Sequence, residues 1–323
     1  LCGETNKREA KIRVFYGSDK FRPPKNPVVA FGVFDGVHRG HQFIFKKAIE
    51  RAKEIGGTSV VYTFDPHPVK ILVPNACPPM ITTLPQKLEL IAGQGIGQAV
   101  VEKFTKAFAR QTPEKFFQKI VLERLRAREI FVGYNFTFGV HRSGTIDHLQ
   151  VFAQEAGIRA TIVEPFLWKE TLVSSTEIRR LLSRGDLVKA EDLLGRPYFV
   201  DGQVIHGRGI GGKELGIHTA NIRPQNDLIL PTGVYVTYTL VSGKRFQSVT
   251  NIGPNPTFGP GPLSIETHLL NFKKTIFGKT VRIEFLEKIR EEIAFASAKD
   301  LANQIQNDIK IAKEHFAKRE AVR

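Results

Sequence analysis

A chain of 323 residues is longer than the ~100–200 usual for one domain, so two domains are expected. Its 41% apolar and 24% charged residues suit domains with real cores, and no apolar run reaches the roughly 18–20 residues that a bilayer-crossing helix needs. The net charge of +15 could serve a nucleic acid, but it is diluted: residues 1–187 hold 28 Lys and Arg against 18 Asp and Glu, and residues 188–323 hold 19 against 14. No basic arm and no nucleic-acid motif accompany it, so neither a nucleic-acid partner nor a membrane is expected. Attraction of polyphosphate substrates accounts for the excess equally well, and so does a solvated basic surface with no role at all. The stretch Leu1–Lys25 is too polar for a signal peptide, and because the first residue is Leu the start is read as trimmed and carries no targeting argument. Cys2 and Cys77 make neither a disulfide framework nor a metal quartet, which suits a soluble protein of a reducing, cytoplasmic compartment.

In chain order, residues 12–16 and 28–33 read as strands. The second runs into Phe31-Gly-Val-Phe-Asp-Gly-Val-His-Arg-Gly-His41, and an apolar-periodic segment with Phe43, Ile44, Ala48 and Ile55 predicts a helix from about 39 to 55, stopped by Gly56-Gly57. Strand, glycine turn and helix put His38 and His41 on one face at a helix start, beside unsatisfied backbone N–H groups and the positive end of the helix dipole. That is the setting of a phosphate site, with Gly32, Phe34 and Asp35 in the same loop. The imidazoles would add directed donors where charge grows on an attacked phosphorus. Taken alone, two histidines three apart are more often ordinary surface or core residues; the flanking pattern reverses that.

Thr58–Phe64 is the next strand and leads into Asp65-Pro-His-Pro68, making a βαβ unit with a parallel sheet. Pro85–Ala92 reads as a helix, Ala99–Val101 as a short strand, and Thr112-Pro-Glu-Lys caps a helix to about Leu125. Ile130–Val132 is a strand opening into Gly133-Tyr-Asn-Phe-Thr-Phe-Gly139, and Ala160–Val163 is another. Gly93, Gly95 and Gly97 lack the setting of a dinucleotide fingerprint and read as a loop. Ser174-Ser-Thr-Glu-Ile-Arg-Arg180 opens a further helix; its hydroxyls are ordinary caps by themselves, yet its arginines could reach a phosphate at the same helix start. In an open α/β sheet such loops gather at the carboxyl ends of the strands.

Helical character runs from Leu187 to Leu194, and the composition then changes at Gly195-Arg-Pro-Tyr198. Five β-like runs follow, at 199–205, 234–241, 246–252, 263–270 and 279–286, with a closing helix from about Ser297 to Phe316. Evenly spaced strands without intervening helices mean a sandwich or barrel. The expected architecture is a parallel-sheet α/β domain, residues 1–186, followed by an all-β barrel with a C-terminal helix, residues 187–323. The segment 204–221 holds glycines at 207, 209, 211, 212 and 216, whose N–H groups can wrap phosphates while Lys213 adds a charge. Thr219 and Asn221 offer oxygens of the kind Mg²⁺ accepts beside a nucleotide. Alternation on 263–270 puts Glu266 among Ser264, His268 and Leu270, a candidate base, although an exposed strand face is the commoner reason for such a Glu.

In order, Gly-Val-Phe-Asp-Gly-Val-His-Arg-Gly-His, Asp-Pro-His-Pro, Gly-Tyr-Asn-Phe-Thr-Phe-Gly, Ser-Ser-Thr-Glu-Ile-Arg, Gly-Ile-His-Thr-Ala-Asn and Ile-Glu-Thr-His resemble the bacterial bifunctional riboflavin kinase/FAD synthetase family from about residue 12 to about 312. The resemblance implies a nucleotidyltransferase-type FMN adenylyltransferase module and a riboflavin kinase barrel, with riboflavin, FMN and ATP as substrates, FAD as product and Mg²⁺ as cofactor. It implies that His38, His41, Ser174, Ser175, Thr176 and Arg179 grip ATP phosphates and that Asn135 holds the reacting phosphates. Asp65, Pro66 and His67 would form part of the flavin site. In the barrel, Gly207, Gly212 and Lys213 would cradle phosphate, Thr219 and Asn221 would organise Mg·ATP, and Glu266 would be the general base. A monomer or weak homo-oligomer is expected. Ile217-His218 stands where Phe-Pro is common, Lys213 where Arg is common, Asn271 where Asp is common and Phe277 where Tyr is common, so a weaker kinase is expected. Rival readings are a nucleotidyltransferase of other specificity, a barrel turned flavin-binding regulator, and a basic nucleic-acid binder that keeps the fold without chemistry.

Overall fold

The run Pro27-Val-Val-Ala-Phe31 has no polar face, so a strand made of it must be covered on both sides. In this computed structural model, which describes residues 12–206, 219–254, 263–293, 295 and 297–321, that strand lies inside a six-stranded parallel sheet with all five residues buried. The sheet order is β1 (Arg13–Tyr16), β4 (Gln98–Lys103), β3 (Thr58–Asp65), β2 (Pro27–Phe31), β5 (Glu129–Gly133), β6 (Arg159–Val163). The chain leaves β2 toward β3 and β4, then returns past β2 to β5. The order therefore reverses between β2 and β5, and the crevice at their carboxyl ends is where an open α/β sheet takes its ligand.

Alternate residues of the strands feed two cores. Val28, Ala30, Val61 and Phe131 pack with Ile44, Phe45, Ala48 and Ala52 of α1 (Arg39–Glu54). On the other face Val29, Phe31, Val60, Tyr62, Ile130 and Val132 pack with Phe116, Phe117 and Ile120. These last belong to α5 (Pro113–Phe116) and its continuation Phe117–Arg124, which is wound as a π-helix. Thr112 caps α5 as its sequence signature predicts, accepting from the Lys115 N–H at 3.3 Å. α3 (Leu84–Ala92) matches its expected span to within a residue. Short helices α2 (Pro68–Leu72) and α4 (Lys106–Ala109), helix α6 (Ile146–Glu155) and the hairpin β7 (Leu167–Trp168) with β8 (Thr171–Leu172) are additions to the sequence reading. α6 buries only Leu149 and Ala153 and leaves Val151 exposed, so its apolar periodicity is weak.

The contacts divide the molecule into two units. One holds the described residues up to Pro78 with Thr82–Ser174; the other holds Pro79–Ile81 and the described residues from Ser175 on. The second begins with α7 (Ser175–Ser183) and α8 (Leu187–Leu194) and continues as a closed antiparallel barrel, ordered β10-β13-β12-β11-β14-β9. The strands are β9 (Tyr198–Ile205), β10 (Ala220–Pro224), β11 (Gly233–Val241), β12 (Lys244–Pro254), β13 (Leu263–Leu269) and β14 (Thr280–Arg290), with α9 (Ala298–Ala321) closing the chain. Six described strands replace the five expected. The extra one is β10, five residues with Ile222 as the single fully buried side chain, which becomes a strand only by pairing with β9 and β13. A Cβ on Gly202 would lie 2.4 Å from Ile222 Cγ2, so glycine in β9 lets β10 approach.

The barrel interior is apolar around Tyr235, Phe285, Ile283 and Ile265, and polar around five fully buried hydroxyls. Thr237 meets Ser248 at 2.8 Å and Thr250 at 2.7 Å, Thr239 meets Ser248 at 2.8 Å, and Thr250 donates to Thr267 at 2.9 Å. Thr239 and Thr267 are 3.3 Å apart, so every one of the five meets two others, which is how buried polar groups avoid a desolvation penalty. One outer face of the barrel, Val234, Val236, Val249 and Leu286, is covered by Ile309, Ala312 and Phe316 of α9.

Candidate active sites

The loop from β2 to α1 is tightly wound. Phe34 and Val37 have positive φ (55° and 41°), an uncommon state for such residues, and Gly36 has φ 80°. Gly32 is glycine for a local reason: a Cβ there would stand 2.6 Å from the Phe34 ring. That ring is buried against Phe45 (4.7 Å between centroids) and meets His41 edge-on at 5.2 Å. His38 is the N-cap of α1, and its Nδ1 accepts from the His41 N–H at 3.4 Å. The two imidazoles stack with centroids 3.5 Å apart and planes 20° apart. The expected pair of histidines at a helix start is thus one stacked unit on an aromatic base, His38 buried and His41 half-buried.

Other expected residues of this unit lie around the same sheet edge. Asp35 is buried; its Oδ1 accepts from Thr82 N–H (3.0 Å) and Thr82 Oγ1 (3.1 Å), while Gly36 N–H donates to Thr82 Oγ1 (3.0 Å). Asn135 is exposed in the loop after β5, across the crevice from the β2 loop. The Val173 carbonyl lies 3.5 Å from where a Gly40 Cβ would be, so Ser174 follows a backbone stretch that passes the first turn of α1. Asp65 ends β3 exposed, Pro66 follows a cis peptide bond, and His67 caps α2, its Nδ1 accepting from Val69 N–H at 3.1 Å. Beside them, opposite Asp65 in register, Lys103 edges a cavity of about 320 Å³ whose walls include Phe108, Gln111, Lys115, Lys119 and Arg124.

Lys87 escaped the sequence reading. Its side chain is buried, and Nζ donates to the Val33 carbonyl (3.2 Å), Thr63 Oγ1 (3.1 Å) and the Phe64 carbonyl (3.1 Å). Burial lowers its pKa to about 8, partly opposed by the carboxylates of Asp35 and Asp65. A signal existed: Leu84, Lys87, Leu88 and Ile91 follow the spacing of a buried helix face, with a cation where a hydrophobe belongs.

In the second unit, register decides the neighbours. Asn221 of β10 and Asn251 of β12 both stand opposite Glu266 of β13, so the three form one row across adjacent strands. Residues directly opposite project to the same face, ~5 Å apart at Cβ. Ile265, Thr267 and Leu269 are buried while Ser264, Glu266 and His268 are half-buried, as alternation predicts; Leu270, expected beside Glu266, follows the strand and joins the α9 core instead. Thr219 is exposed two residues before Asn221, immediately ahead of β10. Asn251 was not foreseen, since a polar residue on an outward strand face carries no signal until a partner stands beside it. Gly207, Gly212, Lys213 and His218 lie outside the described residues. On α7, Ser175 is half-buried, Thr176 is exposed and Arg179 Nε donates to the Pro79 carbonyl at 2.7 Å. The Arg180 guanidinium holds the Glu177 carboxyl below its usual range. No group of three or more His, Cys, Asp or Glu that could hold a metal occurs among the described residues.

Comparison with known proteins matches each unit to a family. Residues 20–177 match the family model of FAD synthetase, and residues 194–316 that of riboflavin kinase. The chain is 37% identical over 296 residues to the bifunctional riboflavin kinase/FMN adenylyltransferase of Bacillus subtilis (strain 168), spanning 90% of this chain and 92% of that one. It is 32% identical over 295 residues to the enzyme of the same name from Escherichia coli (strain K12), spanning 91% and 94%. A crystal structure described as a macrolide-efflux protein from Streptococcus pneumoniae superposes with a TM-score of 0.84 at 27% identity, covering 94% of this chain and 99% of that one. That description concerns the other protein, and no helix among the described residues here is long and apolar enough to cross a membrane. With a nucleotidyltransferase sheet in one unit, a kinase barrel in the other, and relatives matched over nine-tenths of its length, the chain belongs to the bifunctional riboflavin kinase/FMN adenylyltransferase family.

Proposed function

We propose that the chain makes FAD from riboflavin in two ATP-dependent steps, and that the residues gathered at the two sites carry them as follows. In the barrel, the ribityl 5′-hydroxyl of riboflavin attacks the γ-phosphorus of ATP, Glu266 takes the hydroxyl proton, and FMN and ADP leave. The row Asn221–Glu266–Asn251 supports this reading: strand register sets two amides on either side of the carboxylate, a polar surrounding suited to a base beside phosphate and metal ligands. Thr219 and Asn221 are hard oxygen donors that fit Mg²⁺, which when bound neutralises phosphate charge. Gly207, Gly212 and Lys213 take the phosphate-cradling role on the strength of their motif.

At the sheet edge, an FMN phosphate oxygen attacks the α-phosphorus of a second ATP and pyrophosphate leaves. The nucleophile is already anionic, so this step needs no base; it needs donors where negative charge accumulates. The observation that carries the proposal is the stacked His38–His41 pair at the amino end of α1, where two imidazoles and the helix dipole converge beside the switch point of the sheet. Gly32 and Asp35 shape that loop and Phe34 supports His41, while Asn135 and Ser174 border it. Ser175, Thr176 and Arg179 are assigned to ATP by their motif. Asp65, Pro66 and His67 bound the flavin site, and the adjacent cationic cavity, with Phe108 in its wall, falls within the ~300–1,000 Å³ of small-molecule sites. The enzyme acts in the cytoplasm as a monomer or weak homo-oligomer, without nucleic acid or membrane.

Purified chain given riboflavin, ATP and Mg²⁺ yields FMN and then FAD by chromatography, and Glu266→Gln yields FAD only when FMN is supplied. Wild-type FAD formation that depends on added FMN would remove the kinase half of the proposal.

A further inference from the structure

The two loops of the adenylyltransferase site leave neighbouring strands, and one buried side chain holds both. Val33 belongs to the loop after β2 that carries His38 and His41; Thr63 and Phe64 lie near the end of β3, immediately before its last residue Asp65 and the following Pro66 and His67. Lys87, from α3, reaches across the carboxyl ends of both strands and gives one hydrogen bond to the first and two to the second. Thr63 Oγ1 donates its own proton to the Val33 carbonyl at 2.9 Å, so it can only accept from Lys87. All three acceptors therefore need a proton from the same nitrogen. An ammonium has three; a neutral amine has two and turns a lone pair toward the third acceptor.

We propose that Lys87 is a positioning residue for adenylyl transfer, whose ammonium tripod fixes the separation between the His38–His41 loop and the Asp65–His67 loop. It does not touch substrate. It sets the geometry in which the histidines meet ATP and the second loop meets the flavin, and a misplacement on the ångström scale is enough to cost such a reaction much of its rate. The charged groups that face it are Asp35, from the β2 loop, and Asp65, from the end of β3, and both favour the protonated form. Its lowered pKa of about 8 means that the tripod is complete below that pH and loses a donor above it. The inference rests on the proposed adenylyltransferase reading of this edge.

The test measures FMN adenylylation and riboflavin phosphorylation separately, on the full chain, from pH 6 to 10. Wild-type adenylyl transfer should fall through an alkaline limb with a midpoint near pH 8, while the kinase of the same molecule shows no such limb. Lys87→Met, which keeps the length and loses the donors, should lower adenylyl-transfer kcat about ten- to a hundredfold, raise KM for both ATP and FMN, abolish the limb and leave the kinase rate unchanged. Lys87→Ala should recover part of the lost rate with added propylammonium, which supplies the missing stem and head. An adenylyl-transfer profile flat from pH 7 to 9, a Lys87→Met enzyme with wild-type constants, or equal losses in both activities would overturn the proposal. If wild-type protein fails to adenylylate FMN at all, it is the underlying reading of the edge that falls.

Discussion

His41 has its orientation set from two sides, by the His38 ring at 3.5 Å and by the edge contact with Phe34 at 5.2 Å. An imidazole held this way enters the reaction without reorganising, which is what makes a donor effective against developing charge. His41→Ala should therefore lower the kcat of FMN adenylylation about a hundredfold or more and leave riboflavin phosphorylation unchanged, as read by pyrophosphate release and FMN formation. An unchanged rate would remove the histidine pair from the chemistry. His38 is a less clean probe, because its Nδ1 also caps α1 and its loss costs ~1 kcal/mol of helix stability. Among the departures from the family pattern, Asn271 occupies a left-handed backbone position (φ 57°) that Asn tolerates well, so the change from Asp keeps the turn and removes only a charge. Phe277 is exposed and lies against His206 with centroids 3.8 Å apart.

The elements that carry these residues are seated by different forces. α1 is held by Phe45 and Ala48, both fully buried, and by the bidentate pair from Arg51, in its last turn, to Glu129 at the start of β5, so its carboxyl end is tied to the strand that borders the crevice. α9 is held on the barrel by an apolar stripe and by the Arg290 guanidinium, which donates to Asp308 at 3.0 and 2.7 Å while Gln304 donates to the same carboxylate at 2.9 Å. Asp308 is 2% exposed, so removing it leaves a partly buried cation without its partner. Asp308→Ala should destabilise the protein by about 3 kcal/mol, read as a lowered midpoint in urea unfolding. A loss of a few tenths would mean that α9 is held by its apolar stripe alone. The hydroxyl network inside the barrel belongs to the same scale. Thr237, Thr239, Ser248, Thr250 and Thr267 alternate with outward residues on their strands, but their mutual satisfaction appears only when β11, β12 and β13 pair.

For the whole molecule, the two activities belong to units with separate cores, so they should be separable. We propose the functional boundary near residue 186; by contacts α7 (Ser175–Ser183) groups with the second unit. A fragment of residues 187–323 should phosphorylate riboflavin without adenylylating FMN. A fragment of residues 175–323 should unfold at a higher temperature, because α7 packs on α8 and buries Ile178, Leu181 and Leu182. Equal melting temperatures would assign α7 no part in the barrel's stability. The charge of +15 belongs to this scale too: spread over both halves, it has the sign that attracts anionic substrates such as ATP.

The sequence by itself determined the strand–turn–helix at 31–41, because a doubly buried strand, a glycine turn and an apolar period of 3.6 each leave a local pattern. It determined the parallel sheet and most of the barrel for the same reason, and the order of six motifs gave the family. It did not determine β10, which lacks an apolar pattern of its own, nor α6, whose buried face is two residues wide. The tertiary structure alone decided which side chains meet: Asn251 beside Glu266 through strand register, and Lys87 beneath two loops whose contact residues lie 54, 24 and 23 positions away. Local sequence encodes the preference of a segment for helix or strand and for a buried or wet face. Which distant residues share that buried space is set by pairing and packing, and there a single cation at a core position acquires its partners.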